Sequence, residues 1–195
     1  MQALLISTGV VALAEVGDKT QLLSLVLAAR YRKPVPICLG VLAATLCNHA
    51  GAGGLGTLLA RWLDPAIMNW VIVGSFALMA GWILVPDKLD EGDAAPPKRA
   101  VGVFGTTAMA FFLAEMGDKT QVLTVALAAQ YRDFFSVVGG TTLGMMLANV
   151  PVIYLGSRFA ERLKPKVVHI LASILFLILG ALALKNALTH APLLA

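Results

Sequence analysis

Apolar residues run almost unbroken through six stretches of the chain, roughly 3–29, 35–60, 66–86, 101–129, 134–157 and 167–189. Each reaches the roughly 20 residues that a helix needs to cross about 30 Å of hydrocarbon. Charge and proline close the runs, in RYRKP at 30–34, RWLDP at 61–65, QYRDF at 130–134 and RFAERLKPK at 158–166. The stretch from Asp87 to Arg99 carries Asp90, Glu91, Asp93, Pro96 and Pro97 and reads as a linker. The pattern predicts an all-α integral membrane protein of six transmembrane helices. Three lie in 1–86, three lie in 101–195, and an acidic, proline-rich linker at 87–100 joins them.

The two halves repeat. Leu13–Arg32 matches Leu113–Arg132 without a gap, and Gly40 and His49 fall on Gly140 and Asn149. Three spans per repeat is an odd number, so the second half is expected upside down relative to the first. Charge in the loops supports this. Arg30, Arg32, Lys33, Lys88, Lys98, Arg99, Arg158, Arg162, Lys164 and Lys166 fall on one side, against Arg61, Arg132 and Lys185 on the other. The positive-inside rule makes the richer side cytoplasmic and places both termini outside. RYRK at 30–33 becomes QYRD at 130–133, losing positive charge where inversion moves it across the membrane.

Composition excludes other classes. The chain has 195 residues, 58% hydrophobic and only 13% charged, with mean hydropathy +0.83, too little polar surface for a soluble domain. The net charge of +4 sits in short loops beside apolar spans, so the expected partners are membrane lipid and a small ion, not nucleic acid. Cys38 and Cys47 form no CxxC pair. Met1 leads into an apolar stretch without a basic segment, which argues against a cleavable signal peptide.

Within this apolar chain, LAEVGDKTQ at 13–21 returns as LAEMGDKTQ at 113–121. A charged side chain at the bilayer centre costs roughly 2.5–3.5 kcal/mol on insertion scales, so a cluster carried twice points to an ion pathway. The motif begins about twelve residues into its span, roughly 18 Å at 1.5 Å per residue, near mid-membrane. Glu15 and Asp18 share a face if the helix continues, with Gln21 on the same side. Gly17 and Gly117 permit close approach or local unwinding, which would free carbonyls as ligands. The candidate metal ligands are Glu15, Asp18, Glu115, Asp118, Gln21, Gln121, Thr20 and Thr120. Four carboxylates against Lys19 and Lys119 leave the paired motifs at −2, which one divalent cation neutralises. Oxygen-only ligands suit Mn²⁺, Ca²⁺ or Mg²⁺, and carboxylates can take up protons as the metal leaves, a route to antiport. The plainer alternative is a pair of intrahelical ion pairs, Glu15 with Lys19 and Glu115 with Lys119.

Lys19, Lys119, His49 and Asn149 are candidates for a proton relay or for supporting the ligands. His49 could equally hydrogen-bond a neighbouring helix. Asn48 is a weaker candidate, and Thr45, Thr141, Thr142, Met145 and Met146 read as packing residues. GAGGLG at 51–56 matches the dinucleotide pattern, but it lies in an apolar helical span with no preceding strand, so close helix packing is expected. His169 and His190 lie near span ends and are expected at the interface. No zinc motif or nucleophile–base pair suggests an enzyme, and no cofactor is expected.

EVGDKT at 15–20 and EMGDKT at 115–120 resemble the signatures of the Gdt family of cation exchangers, and the resemblance covers the whole chain. It implies export of Mn²⁺ or Ca²⁺ from the cytosol in exchange for protons. It also implies a metal site at Glu15, Asp18, Glu115 and Asp118. Small size and the lack of an organellar targeting extension favour the family's bacterial manganese-exporter branch in the inner membrane. The alternatives are a Ca²⁺/H⁺ exchanger of the same family and a divalent-cation channel without proton coupling.

Overall fold

The computed structural model describes residues 1–85, 102–156 and 165–190. These residues form eight α-helices: α1 (Gln2–Ala14), α2 (Lys19–Tyr31), α3 (Pro34–Trp62), α4 (Pro65–Trp82), α5 (Gly102–Glu115), α6 (Lys119–Tyr131), α7 (Phe134–Leu155) and α8 (Pro165–His190). The linker at 87–100, the basic loop residues Arg158, Arg162 and Lys164, and the side chain of His190 lie outside the described residues.

Four helices, α3, α4, α7 and α8, are long and apolar enough to cross a membrane. The expected first and fourth spans differ from a single helix. Each is two shorter helices, α1 with α2 and α5 with α6, separated by the motif. The cause is local. Gly17 and Gly117 adopt φ +80° and +76°, a left-handed conformation that breaks a right-handed helix and costs glycine little. Asp18 and Asp118 follow in extended conformation as the N-caps of α2 and α6. The face shared by Glu15 and Asp18 on a continuous helix is therefore not formed.

α2 and α6 also end alike, at left-handed Arg32 and Arg132 (φ 51° and 52°). Asp64 caps α4 by accepting from the Ala66 amide at 2.8 Å, and Asp133 caps α7 by accepting from Ser136 at 3.1 Å. The hydrogen bonds from Ser136 hold the Asp133 carboxyl below its ordinary pKa.

The halves are exchanged in packing. α1 lies chiefly on α7, α5 lies on α3, and α4 pairs with α8. Small residues make this possible. A Cβ on Gly40 would sit 2.7 Å from Thr107 Cβ and 2.8 Å from the Phe104 carbonyl oxygen. A Cβ on Gly140 would sit 2.6 Å from the Leu4 oxygen and 2.9 Å from Ser7 Cβ. Leu4 and Ser7 correspond to Phe104 and Thr107, so each half receives the other's first helix through the same contact. The glycine-rich run behaves as expected: Gly53 meets Val138, and Gly56 meets the Val125 carbonyl and Ala128.

Two apolar clusters flank the motifs. One joins Val10, Val11, Phe76, Met79, Leu123 and Phe176; the other joins Leu23, Ile37, Val41 and Phe111. The outside is apolar too, with Leu5, Leu39, Leu147 and Leu177 each at least half exposed. A soluble monomer does not expose such a surface; lipid covers it at no cost.

Candidate metal centre

The two helix breaks bring the motifs together in the interior. Glu15, Asp18, Glu115 and Asp118 are each at most 5% exposed. Glu15, Glu115 and Asp118 each place one carboxylate oxygen within 4.8 Å of the other two. Asp18 is equally buried but outside this set of three. At an effective dielectric constant of 20, two unit charges 4.8 Å apart repel by about 3.5 kcal/mol. The set therefore favours a cation or protons.

Each motif is wired in the same way. Thr20 donates to Glu15 Oε2 at 2.6 Å, and Thr120 donates to Glu115 Oε2 at 2.9 Å. The threonines fix one oxygen of each glutamate. Oε1 of Glu15 and Oε1 of Glu115 are buried without a hydrogen bond. The Gly17 amide donates to Gln21 Oε1 and the Gly117 amide to Gln121 Oε1, both at 2.9 Å. These glutamines sit three residues after the N-cap, where a side chain can reach back to the chain entering the helix. They brace the break. Asp18 and Asp118 make no side-chain cap to their own helices, so neither carboxylate is spent on capping.

Each lysine has a partner outside its own motif. Lys19 pairs with Asp118 of the other motif at 3.3 Å, not with Glu15 four residues before it. Residues 15 and 19 are separated by the break, so the four-residue helical spacing that would join them does not exist. Lys119 is 3% exposed and donates to the Val85 carbonyl at 2.9 Å.

Around this centre, Gln21 donates to the Ala148 carbonyl at 3.1 Å and Ser24 to Asn149 Oδ1 at 2.6 Å. Asn149 thus ties α2 to α7. Asn48 donates to the Phe112 carbonyl at 3.1 Å, tying α3 to α5. His49 is fully buried and neither ring nitrogen has a hydrogen-bond partner. Thr141 bonds back to Val137, as a packing threonine does.

His169, in the second turn of α8, reaches the first motif. Its Nε2 lies 2.7 Å from the carbonyl oxygen of Val16, inside the first motif. The carbonyl can only accept, so Nε2 carries the hydrogen. The available signal was a histidine four residues after Pro165, ahead of a long apolar run. Its partner is a backbone atom exposed only by the helix break, which sequence spacing does not reveal.

Because Thr120 fixes Glu115, Thr120→Val is expected to weaken divalent-cation binding about 10- to 100-fold, the usual cost of losing a partner behind a ligand. Titration calorimetry of the purified variant checks this.

The fold and the centre define a multi-pass helical membrane protein with buried acids at paired helix breaks. The chain belongs to the GDT1 family, described as divalent cation/proton antiporters, whose profile matches twice, at residues 3–91 and 103–191. A Vibrio cholerae protein named "Putative manganese exporter" is 52% identical over 92% of this chain and 89% of its own length. A GDT1-like protein of Synechocystis is 31% identical, covering 85% of this chain and 88% of that protein. GDT1-like protein 3 of rice is 26% identical over 90% of this chain and 71% of its own length. No solved structure matches. The protein is a divalent-cation transporter by family.

Proposed function

We propose that this chain exports Mn²⁺ from the bacterial cytosol in exchange for protons, through a mid-membrane site built by both motifs. The observation that carries the reading is the buried set of Glu15, Glu115 and Asp118, with oxygens from both halves within 4.8 Å. All-oxygen, multiply charged ligands suit a hard divalent ion. Family membership and the manganese-exporter relative support the same substrate class. Six membrane crossings complete the picture, with α1–α2 and α5–α6 as broken spans and the two halves as inverted repeats. Both termini lie outside the inner membrane.

The chemistry follows from charge. Without metal, Lys19 holds Asp118 and supplies part of the missing positive charge. Mn²⁺ takes over that carboxylate and the free oxygens of Glu15 and Glu115. Asp18 joins the shell as the repeats close around the ion. On the outer side, protonation of the carboxylates weakens their hold and the metal leaves. The protonated site returns, so inward proton movement drives metal outward.

Uptake of Mn²⁺ into inside-out vesicles tests this. The expected result is saturable uptake that grows with an imposed acid interior and stops when the gradient collapses. Uptake indifferent to the gradient would replace the antiporter with a channel. Lys19→Gln is expected to bind Mn²⁺ more tightly at equilibrium, because the competing cation is gone, while turning over more slowly. Calorimetry and initial rates of uptake on the same variant check both.

A further inference from the structure

The two halves carry the same contacts in sequence, but one of those contacts is shut and its counterpart open. On α3, Gly56 is pressed against the Val125 carbonyl and Ala128 of α6. In the one-hundred-residue register the counterparts are Gly156, Leu25 and Ala28. These line a cavity of about 490 Å³, and a Cβ on Gly156 would meet nothing within 4 Å. Burial of the two helices agrees. Ala126, Ala128 and Ala129 of α6 are 4%, 0% and 2% exposed, whereas Val26 of α2 is 41% exposed, Ala28 is half-buried and Ala29 is exposed.

The α4–α8 pair is lopsided in the same sense. α8 leans on α1, and α4 leans on α6. If the halves were arranged alike, α4 would lean on α5 and α8 on α2; among the described residues neither pair makes comparable contact. His169 anchors this lean by bonding Val16. Among the described residues, its counterpart Asn69 makes no bond to Met116, which is 57% exposed. Val16 is half-buried.

We infer that the α3–α6 seam at Gly56 and the α2–α7 seam at Gly156 are the two gates of one cycle, here shut and open respectively, and that His169 is the positioning residue that latches the shut state. The inference rests on the proposed transport reading for its direction. With the termini outside, α1 and α6 belong to the outer half and α2 to the inner half, so the outer gate is shut and the site faces the cytosol. In the opposite state Gly156 would press on Leu25 and Ala28, the Gly56 seam would part, and the His169 bond would break. Both seams use a small residue against alanine and backbone, so closing one buries an area similar to that released by opening the other. The two states are then close enough in energy for a bound ion to select between them.

The test is cysteine reactivity in purified full-length protein with Cys38→Ser and Cys47→Ser, probed with a membrane-impermeant maleimide. Ala28→Cys is expected to react at least about tenfold faster than Ala128→Cys, since reactivity of a buried thiol reports opening of its seam. Ala29→Cys and Ala129→Cys form a second pair should Ala128→Cys not fold. Adding His169→Ala is expected to speed the slow α6 position severalfold. His169→Gln, whose amide can still donate to the Val16 carbonyl, is expected to leave it slow. Equal rates at α2 and α6 positions would overturn the gates, and an α6 rate unmoved by His169→Ala would overturn the latch. The readout is independent of transport. A protein that labels asymmetrically but moves no Mn²⁺ would therefore lose the proposed function and keep the gates.

Discussion

Asp118→Asn is expected to reduce Mn²⁺ transport about 100-fold or more while the protein stays folded in the membrane. Asp118 contributes one of the three carboxylate oxygens that lie within 4.8 Å of one another, and it is the partner of Lys19. Removing one partner of a buried charge pair costs about 3 kcal/mol or more. By the rule of 1.4 kcal/mol per tenfold, that is a factor of about 100. The side chain makes no cap to α6, so the helix start does not depend on it. Folding is therefore expected to survive where transport does not. Vesicle uptake set against the gel-filtration profile of the same preparation separates the two. Normal uptake by the variant would remove Asp118 from the site.

Gly140→Val is expected to have the largest effect on the fold. Any Cβ at this position lies 2.6 Å from the Leu4 carbonyl oxygen, a backbone atom inside α1 that cannot swing aside. Overpacking that flexible side chains can absorb costs about 1–3 kcal/mol, and a clash with helix backbone exceeds that range. α1 would be pushed from α7, and the break carrying Glu15 would move with it. The measurement is the yield of monodisperse protein from membranes, expected to fall severalfold or more. Gly139→Val is the control: a Cβ there meets nothing within 4 Å, so near-normal yield is expected.

The helical membrane class was legible because apolar runs and their closing charges are local features of the chain. The long helices confirm the predicted edges closely: 35–60 became Pro34–Trp62 and 134–157 became Phe134–Leu155. The helix breaks were half legible. Gly17 and Gly117 permit them, but periodicity alone also allows a continuous helix through Glu15 and Asp18. What decides is the wiring of Gln21 and Gln121 back to the glycine amides, together with the burial that brings the two breaks together. The lysine pairing was not legible, since Lys19 and Asp118 are ninety-nine residues apart and meet only through the packing of the halves. His169 was missed for the same reason. Thr20 and Thr120 are candidate ligands by sequence, and their bonds to Glu15 and Glu115 depend on the turn that follows each break.

Mn²⁺ binding to purified protein, with proton release recorded in the same titration, decides whether the two motifs form one exchange site. One Mn²⁺ per chain is expected, with protons released as it binds and both signals lost in Asp118→Asn and Glu115→Gln. Binding of undiminished affinity in those two variants would contradict a site shared between the motifs. Binding without proton release would contradict exchange at the same carboxylates.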